Sequence, residues 1–273
     1  MPELPEIEAL VLRLTPRLQG QTLLSLVVHR PLVLRNLLPS PEAETILVGR
    51  RVTALQRRGK LFMVGFGDLW LVTHFMLAGR LTWPQPGDQA KSRDYYTLGF
   101  SDGFAMRYND PRSMGKTYLT RDLQNVPGFS AMAPDALAED LTSDAFLQRL
   151  KRHPGEIKGV LTHERLVCGI GNAYADEILF AAGIYPFSRC SRLTLDEKAR
   201  LYSAMRDVLR GRVAYLLQHW PLEMDLHWRE GLQIHRRAGE PCPRCGTPIS
   251  EINVGKRPTN FCRSCQPGLL IRN

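Results

Sequence analysis

The stretch that decides the C-terminal fold is Cys242-Pro-Arg-Cys245, followed after sixteen residues by Cys262-Arg-Ser-Cys265. Four thiolates from two tight turns satisfy tetrahedral Zn²⁺ and leave no coordination position open, so the ion is expected to be structural. A module this short has too small an apolar core to fold alone, and metal binding should supply much of its stability. We predict a zinc-finger module over residues 231–273, with one Zn²⁺ bound by these four cysteines.

Upstream of the cysteines, apolar residues recur at helical spacing and the helix ends carry capping residues. Gly183 suits the C-cap of one helix, and Thr194 with Glu197 forms a capping box at the start of another. These patterns predict a helical domain over residues 142–230, preceded by a Gly- and Pro-containing linker over 125–141. The predicted helices are Thr142–Leu150, Glu156–Thr162, Asn172–Ala182 and a long helix that ends near Gln218.

The N-terminal part of the chain has the pattern of one helix followed by many strands. Apolar residues from Ile7 to Leu18 recur at helical spacing, and Pro5 suits the first turn. Short apolar runs separated by turn signals then follow, which is typical of a sandwich or barrel. We therefore predict an N-terminal domain over residues 1–124, built from a helix plus a β-sandwich. The predicted strands are Thr22–His29, Val52–Leu55, Lys60–Phe66, Leu69–His74, Tyr95–Phe100 and Phe104–Tyr108.

Composition narrows the class of protein. The 273 residues are 44% hydrophobic, enough to bury a core, and no run approaches the roughly 18 apolar residues that span a bilayer. No secretory signal is visible at the start, so we expect a cytoplasmic protein without a membrane partner. A net charge of +9 favours a polyanionic partner. Clustering of four of the six cysteines in two pairs argues for metal binding rather than disulfides.

The N-terminus is a candidate reactive group. Pro2 is small enough to favour removal of Met1, which would leave a secondary amine at the start of a helix. An α-amine titrates near 8 and is partly neutral at pH 7, and the positive end of the helix favours the neutral form. Attack of this amine on a sugar C1′ would form an iminium, with Glu3 and Glu6 close enough to exchange protons. The alternative is ordinary capping chemistry at a helix start.

Five motifs, in the same order along residues 2–265, resemble those of the formamidopyrimidine-DNA glycosylases, the bacterial family that also contains endonuclease VIII. The resemblance implies an α+β multidomain protein: a helix plus β-sandwich, then a helix–two-turn–helix domain with a four-cysteine zinc finger. The motifs are Pro2-Glu-Leu-Pro-Glu-Ile-Glu8, Arg57-Arg-Gly-Lys60, Asp110-Pro-Arg112, Gly169-Ile-Gly-Asn172-Ala-Tyr-Ala-Asp-Glu177 and Gly239-Glu-Pro-Cys242-Pro-Arg-Cys245-Gly246.

The resemblance implies a base-excision-repair glycosylase that also cleaves abasic sites by β,δ-elimination. Such enzymes bind damaged double-stranded DNA and flip the damaged nucleotide out of the duplex. By this resemblance Pro2 is the nucleophile at C1′, Glu3 protonates the opened sugar, and Glu6 assists. Lys60 contacts the phosphates and the leaving base, and Arg257 contacts the phosphates that flank the lesion. We expect a monomer that acts at the nucleoid and binds DNA in a basic cleft between its domains.

The same resemblance implies further DNA contacts. Asn172 lies where a helix start suits a phosphate, or it caps that helix. Arg93 and Lys158 match phosphate- or lesion-contacting positions, with a solvated surface charge as the alternative for each. His74 matches a DNA-proximal histidine, although a histidine that ends a strand is as often structural.

A second group of residues matches the side chains that enter the duplex when a base is flipped out. The family fills that space with an apolar wedge and an arginine, which offsets lost stacking. Arg112 fits the arginine that faces the orphaned base. Met114 stands where the wedge is usually Phe. Leu77 aligns with a filling methionine, and the neighbouring Met76 replaces a glycine.

Two departures from the family bear on the substrate. Between the long helix and the zinc module, the segment Trp220–Leu232 shows no Gly-rich loop of the kind that caps 8-oxoguanine. Formamidopyrimidines and oxidised pyrimidines are then the expected bases, with 8-oxoguanine less so. An endonuclease VIII-like pyrimidine specificity is one alternative, and a zinc-dependent protein that binds damaged DNA without cutting it is another. In the second departure, Lys256-Arg257-Pro258 replaces the usual Gly-Arg-Gly, and Pro258 restricts the backbone beside Arg257.

Overall fold

The computed structural model describes residues 1–39, 43–220, 229–255 and 257–268. The chain divides into two compact units, Met1–Ala131 with Val213–Trp228, and Met132–Arg212 with Arg229–Asn273. None of the described helices is both long and apolar enough to cross a membrane.

The first unit begins with the predicted helix, α1 (Leu4–Leu18). Pro5 lies in its first turn, where the missing amide hydrogen costs nothing. Ile7, Leu14 and Leu18 are fully buried, because their helical spacing places them on one face against the sheets. The helix prediction is therefore confirmed.

The strands that follow form two sheets, which confirms the predicted β-sandwich. One sheet has the order β1-β7-β8-β6 and the other has the order β2-β9-β5-β4-β3. The predicted strands are present within a few residues, while β2, β6, β9 and the short helix α2 (Ala43–Leu47) were not predicted. Strands of three residues carry too little alternation to be read locally. The strands are β1 Leu23–Val28, β2 Leu34–Asn36, β3 Ala54–Arg58, β4 Leu61–Phe66, β5 Leu69–His74, β6 Arg80–Thr82, β7 Asp94–Phe100, β8 Ala105–Asn109 and β9 Lys116–Thr120.

Two loops cross from one sheet to the other at the same end of the sandwich. The loop over 75–79 joins β5 to β6, and the loop over 110–115 joins β8 to β9. The register pairs the last residue of β5, His74, with the first residue of β9, Lys116. It also pairs Arg80 at the start of β6 with Asn109 at the end of β8. The two loops therefore begin and end on neighbouring strands.

The second unit contains the predicted helices and, within the zinc module, two paired antiparallel strands over 250–254 and 257–261, here called the zinc hairpin. Thr142 accepts a hydrogen bond from the amide of Ala145 at the start of α3, and Gly183 ends α5 with φ 68°, as its sequence position predicts. The capping box before α6 is confirmed by reciprocal hydrogen bonds between Thr194 and Glu197. The elements are α3 Ser143–Leu150, α4 Ile157–Thr162, α5 Asn172–Ala182, α6 Leu195–His219, β10 Ser250–Val254 and β11 Arg257–Phe261.

The last turns of α6 belong to the first unit. Leu216 and Trp220 are buried in the same apolar core as α1 and the two sheets. Arg13 of α1 donates a hydrogen bond to the carbonyl of Leu217. A cation at the C-terminus of a helix is stabilised by the exposed carbonyls there. This contact fastens the last turns of α6 to α1.

Candidate active site and nucleic-acid interface

The N-terminus of α1 holds two buried acids beside the candidate nucleophile. Pro2 is buried, and Glu3 and Glu6 are 3% and 0% exposed. The Glu6 carboxylate accepts a hydrogen bond of 2.9 Å from the backbone amide of Glu3. That amide belongs to the peptide bond that follows Pro2, so Glu6 fixes the direction in which the chain end leaves the helix. The two acids predicted to be catalytic thus also cap the start of α1.

Lys60 lies in the turn between β3 and β4, where Arg58 pairs with Leu61. Gly59 has φ 56°, which suits this tight turn. The Arg57 guanidinium holds the turn from both sides. Its Nε lies 2.6 Å from the Glu8 carboxylate on α1, and its Nη1 donates to the Gly59 carbonyl at 3.2 Å. A largely buried ion pair of this geometry fixes orientation, so the turn with Lys60 is tied to the first turns of α1.

The loop over 110–115 is organised by one buried carboxylate. Asp110 is fully buried and accepts from the amides of Arg112, Met114 and Gly115 at 2.9, 2.8 and 2.7 Å. These bonds hold Ser113 at a φ of 56°, which non-glycine residues adopt at some cost. The Met114 side chain remains exposed at the tip, as does that of Arg112.

The neighbouring loop over 75–79 is organised by His74. Its Nδ1 accepts a hydrogen bond of 3.0 Å from the amide of Met76, whose φ is 51°. Leu77 at the tip is 44% exposed. The histidine thus has a structural contact in addition to the DNA contact predicted for it. Arg93 is exposed, and its carbonyl accepts from the amide of Asp110 at 3.0 Å, which places it next to the loop over 110–115.

In the second unit, two predicted phosphate contacts converge on the zinc hairpin. The Asn172 side-chain amide donates to the carbonyl of Pro258 at 2.8 Å, and Lys158 Nζ donates to the same carbonyl at 2.9 Å. Lys158 Nζ also lies 2.8 Å from Thr259 Oγ1 and 2.7 Å from the Asp176 carboxylate. Gly171 caps α5, so N-capping by Asn172 was the wrong alternative. Arg257, the residue before Pro258, is exposed.

Asp176 and Glu177 were missed as site-forming residues by sequence reasoning. Glu177 accepts hydrogen bonds of 2.9 Å from the amides of Gln233, Ile234 and His235. Asp176 accepts from His235 Nδ1 at 2.7 Å and from the amide of Asn260. Two adjacent acids inside a helix that is otherwise apolar and buried were the available signal, since buried carboxylates need partners. Both acids anchor the segments that lead into the zinc hairpin.

The four predicted zinc ligands come together. The Sγ atoms of Cys242, Cys245, Cys262 and Cys265 all lie within 4.8 Å of one another, and three of the six separations are 3.5, 3.5 and 3.9 Å. A tetrahedron with Zn–S distances of about 2.3 Å has edges of about 3.8 Å, so the cluster fits one structural Zn²⁺. Hydrogen bonding with the Thr247 hydroxyl and amide lowers the pKa of Cys245 to about 6, whereas burial raises the pKa values of Cys262 and Cys265.

The zinc module is fastened to the C-terminus of α5. Arg244 Nη1 donates to the carbonyl of Phe180 at 2.8 Å, and the same guanidinium lies over the Phe180 ring, 4.2 Å from its centroid. Gln266 is fully buried and bridges the amide of Cys262 and the carbonyl of Ile184. Arg244 is thus used to cap a helix, a role that its place in a basic zinc module did not reveal.

Comparisons with known proteins agree on one family. The family model for the formamidopyrimidine-DNA glycosylase N-terminal domain matches residues 1–117, the H2TH domain of the same proteins matches 132–216, and a zinc finger found in FPG and IleRS matches 239–268. The formamidopyrimidine-DNA glycosylase of Chloroflexus aurantiacus is 34% identical, covering 97% of this chain and 98% of its own length. That of Moorella thermoacetica is 38% identical, covering 92% and 94%.

Solved structures of the Lactococcus lactis FPG protein bound to DNA have the same fold. A complex of one of its variants with DNA that contains Fapy-dG has a TM-score of 0.87 at 28% identity, covering 98% of this chain and 100% of that one. A complex with DNA that contains an abasic site has a TM-score of 0.87 at 27% identity, covering 97% and 100%.

Proposed function

The chain belongs to the formamidopyrimidine-DNA glycosylase family, and from that premise we propose that it excises oxidised bases and then cuts the abasic site through a Schiff base at Pro2. It is a base-excision-repair DNA glycosylase with one structural zinc site. The observation that carries the proposed mechanism is the burial of Glu3 and Glu6 beside Pro2 at the positive end of α1.

The proposed chemistry starts at the chain end. Once Met1 is removed, the Pro2 nitrogen attacks C1′, the bond from C1′ to the base breaks, and the base leaves with a proton. Glu3 protonates the ring oxygen as the sugar opens, which leaves an iminium between Pro2 and C1′. The iminium makes the C2′ proton acidic, so β-elimination breaks the bond to the 3′ phosphate and δ-elimination breaks the bond to the 5′ phosphate. Lys60 stabilises the phosphate and the leaving base.

The proposed DNA contacts divide between the two units. In the second unit, Arg257 and Asn172 bind the phosphates near the lesion, and Lys158 holds the backbone of Pro258 and Thr259 that carries Arg257. In the first unit, Arg112, Met114 and Leu77 enter the space left by the flipped nucleotide. His74 and Arg93 contact the strand beside it.

The proposed substrates are formamidopyrimidines, and 8-oxoguanine joins them only if another segment replaces the usual cap over that base. The residues at issue, 221–228, lie outside the described part of the chain. Because the sequence has no Gly-rich capping loop there, an endonuclease VIII-like specificity for oxidised pyrimidines is the second candidate. In either case the protein would act as a monomer on nucleoid DNA in the cytoplasm.

Borohydride trapping tests the proposal, because it reduces the iminium to a stable protein–DNA crosslink. The substrates are duplexes with formamidopyrimidine-guanine, 8-oxoguanine, dihydrouracil or a bare abasic site, and mass spectrometry first verifies that Met1 is removed. We expect crosslinks, with the fastest on formamidopyrimidine-guanine. Fastest trapping on dihydrouracil would select the second candidate, and no crosslink on any duplex would leave a protein that binds damage without cutting.

A further inference from the structure

We propose that Tyr108 is a positioning residue that sets the two duplex-entering loops from a single atom, its hydroxyl oxygen. The loop over 75–79 carries Leu77, and the loop over 110–115 carries Arg112 and Met114. This inference rests on the proposed function, because it assigns a role in base flipping to a residue that makes no contact with DNA in that proposal.

The Tyr108 ring is held rigidly at the centre of the first unit. Tyr108 lies on β8 between its partners Leu81 on β6 and Tyr96 on β7, and it is 0% exposed. Its ring stacks on Tyr96 with a centroid distance of 5.3 Å and an interplanar angle of 9°, and on Phe75 at 6.1 Å. Phe75 opens the loop over 75–79. A large ring packed on two sides in this way has one position.

The Tyr108 hydroxyl lies against the last residue of each loop. A Cβ atom on Gly79 would lie 2.2 Å from the hydroxyl oxygen, and one on Gly115 would lie 1.7 Å from it. Neither glycine has a positive φ, so close approach explains why these positions are glycine: to the Tyr108 oxygen at both, and at Gly79 also to the Phe75 carbonyl oxygen, 2.5 Å from such a Cβ. Gly79 leads directly into β6 and Gly115 into β9. Contact with this oxygen therefore sets how closely the backbone at the end of each loop approaches the Tyr108 side chain.

The oxygen is kept although it lacks a hydrogen-bond partner among the described residues. A buried hydroxyl without a partner lowers stability, and phenylalanine would fill the same space without that cost. The neighbouring carboxylate oxygen, Asp110 Oδ2, already accepts from the amides of Met114 and Gly115. Burial raises the pKa of Tyr108 far above its ordinary value, so the group stays a neutral phenol. Contact with the two glycines is the remaining use for this atom.

Each loop also has a side-chain contact at its strained residue. Met76 is held by His74, and Ser113 accepts a hydrogen bond from the Tyr95 hydroxyl. Both residues have positive φ, so each loop relaxes if its support moves. Loss of the common support at Tyr108 should therefore displace Leu77, Arg112 and Met114 together.

The test compares Tyr108→Phe with the wild-type protein on two kinds of DNA. In a duplex the loops must fill the space left by the flipped nucleotide, and in a single strand there is no such space. A single-stranded abasic oligonucleotide has no orphaned base, so borohydride trapping on it measures the chemistry at Pro2 alone. A formamidopyrimidine-guanine duplex also needs the loops. We expect unchanged trapping on the single strand and about a tenfold slower excision from the duplex, because a misplacement of about 1 Å can cost about 100-fold and loss of one hydroxyl should displace the loops by less. A 2-aminopurine base placed opposite the lesion changes its fluorescence when the loops enter the duplex. This change on binding should be lost with Tyr108→Phe.

Two further variants keep the test decisive. Tyr118→Phe removes the hydroxyl of another buried tyrosine, on β9, and should match the wild type in both assays. Gly115→Ala pushes on the same oxygen and should reproduce the duplex defect, and its effect should not add to that of Tyr108→Phe. Equal rates for Tyr108→Phe and wild type on the duplex, or equal losses on both substrates, would overturn the inference. No trapping by the wild type on either the single strand or the duplex would instead overturn the mechanism at Pro2.

Discussion

Buried acids in this protein serve chiefly as acceptors for backbone amides. Glu6 fixes the peptide after Pro2, Asp110 shapes the loop of Arg112, and Glu177 holds the segment that leads to the zinc module. In each case a carboxylate satisfies amides that would otherwise be buried without partners. The same bonds hold a residue or segment of the proposed site in place.

The first prediction concerns Pro2. We expect Pro2→Gly to reduce borohydride trapping on abasic DNA by about 100-fold or more, because a flexible primary amine replaces the constrained secondary amine that attacks C1′. Pro5→Ala alters the same turn of α1 but leaves the amine in place, and it should retain trapping. Unchanged strand cutting by Pro2→Gly would remove this residue from the mechanism.

At the scale of secondary-structure elements, the zinc hairpin is positioned by contacts that are distant in sequence. Lys158 at the start of α4 and Asn172 at the start of α5 both donate to the carbonyl of Pro258 on β11. Proline has no amide hydrogen but keeps its carbonyl, so Pro258 can still accept both bonds. The exposed Arg257 beside it is then held before DNA arrives.

A double-mutant cycle distinguishes positioning by Lys158 from direct phosphate contact. Arg257→Ala should reduce the slope of log K against log salt by about one, as for one lost phosphate contact. Lys158→Met should weaken binding, and in the Arg257→Ala background it should cause little further loss. DNA binding over a salt titration measures all four proteins, with the exposed Lys151→Met as the control. Additive losses of binding free energy, with the slope of log K against log salt reduced by about two in the double variant, would show that Lys158 contacts phosphate itself.

Metal removal is the second element-scale prediction. Cys245→Ser should lose zinc and DNA affinity together, because the hairpin with Arg257 is part of the small module that the metal stabilises. Metal content and DNA binding measured on one preparation check this. Cys190→Ala changes a buried cysteine outside the cluster and should keep its zinc. Full DNA binding without metal would contradict a structural role for the finger.

At the scale of the whole molecule, the first unit is assembled from segments far apart in the chain. The end of α6 contributes Leu216 and Trp220 to a core that is otherwise formed by residues before 110 and by Leu119. Arg13 adds a hydrogen bond from α1 to Leu217. Folding of this unit therefore requires residues that follow the second unit's helices in sequence.

Trp220→Ala tests this dependence. Loss of a buried Trp should lower the free energy of unfolding by about 3–5 kcal/mol, because a cavity remains in the core. Urea denaturation followed by circular dichroism measures the change. Leu195→Ala at the start of the same helix removes a side chain that is 71% exposed, and its effect should stay within about 0.5 kcal/mol. Equal effects of the two variants would show that the end of α6 does not stabilise the core.

Local sequence patterns were sufficient to predict the features that depend on near neighbours. Helical spacing and caps predicted α1, α5 with Gly183, and the capping box of α6, while the paired cysteines predicted the zinc site. These signals lie within a few residues of one another, where local geometry decides the outcome.

Contacts between distant segments became visible in the folded chain alone. It paired β5 with β9 and β6 with β8, which brings the two loops to one end of the sandwich. It also directed Lys158 to Asp176 and Pro258, and Glu177 to the backbone of residues 233–235. Strand register and long-range hydrogen bonds depend on which surfaces meet when the core is buried. Residues that are close in sequence do not specify which distant segment they will contact.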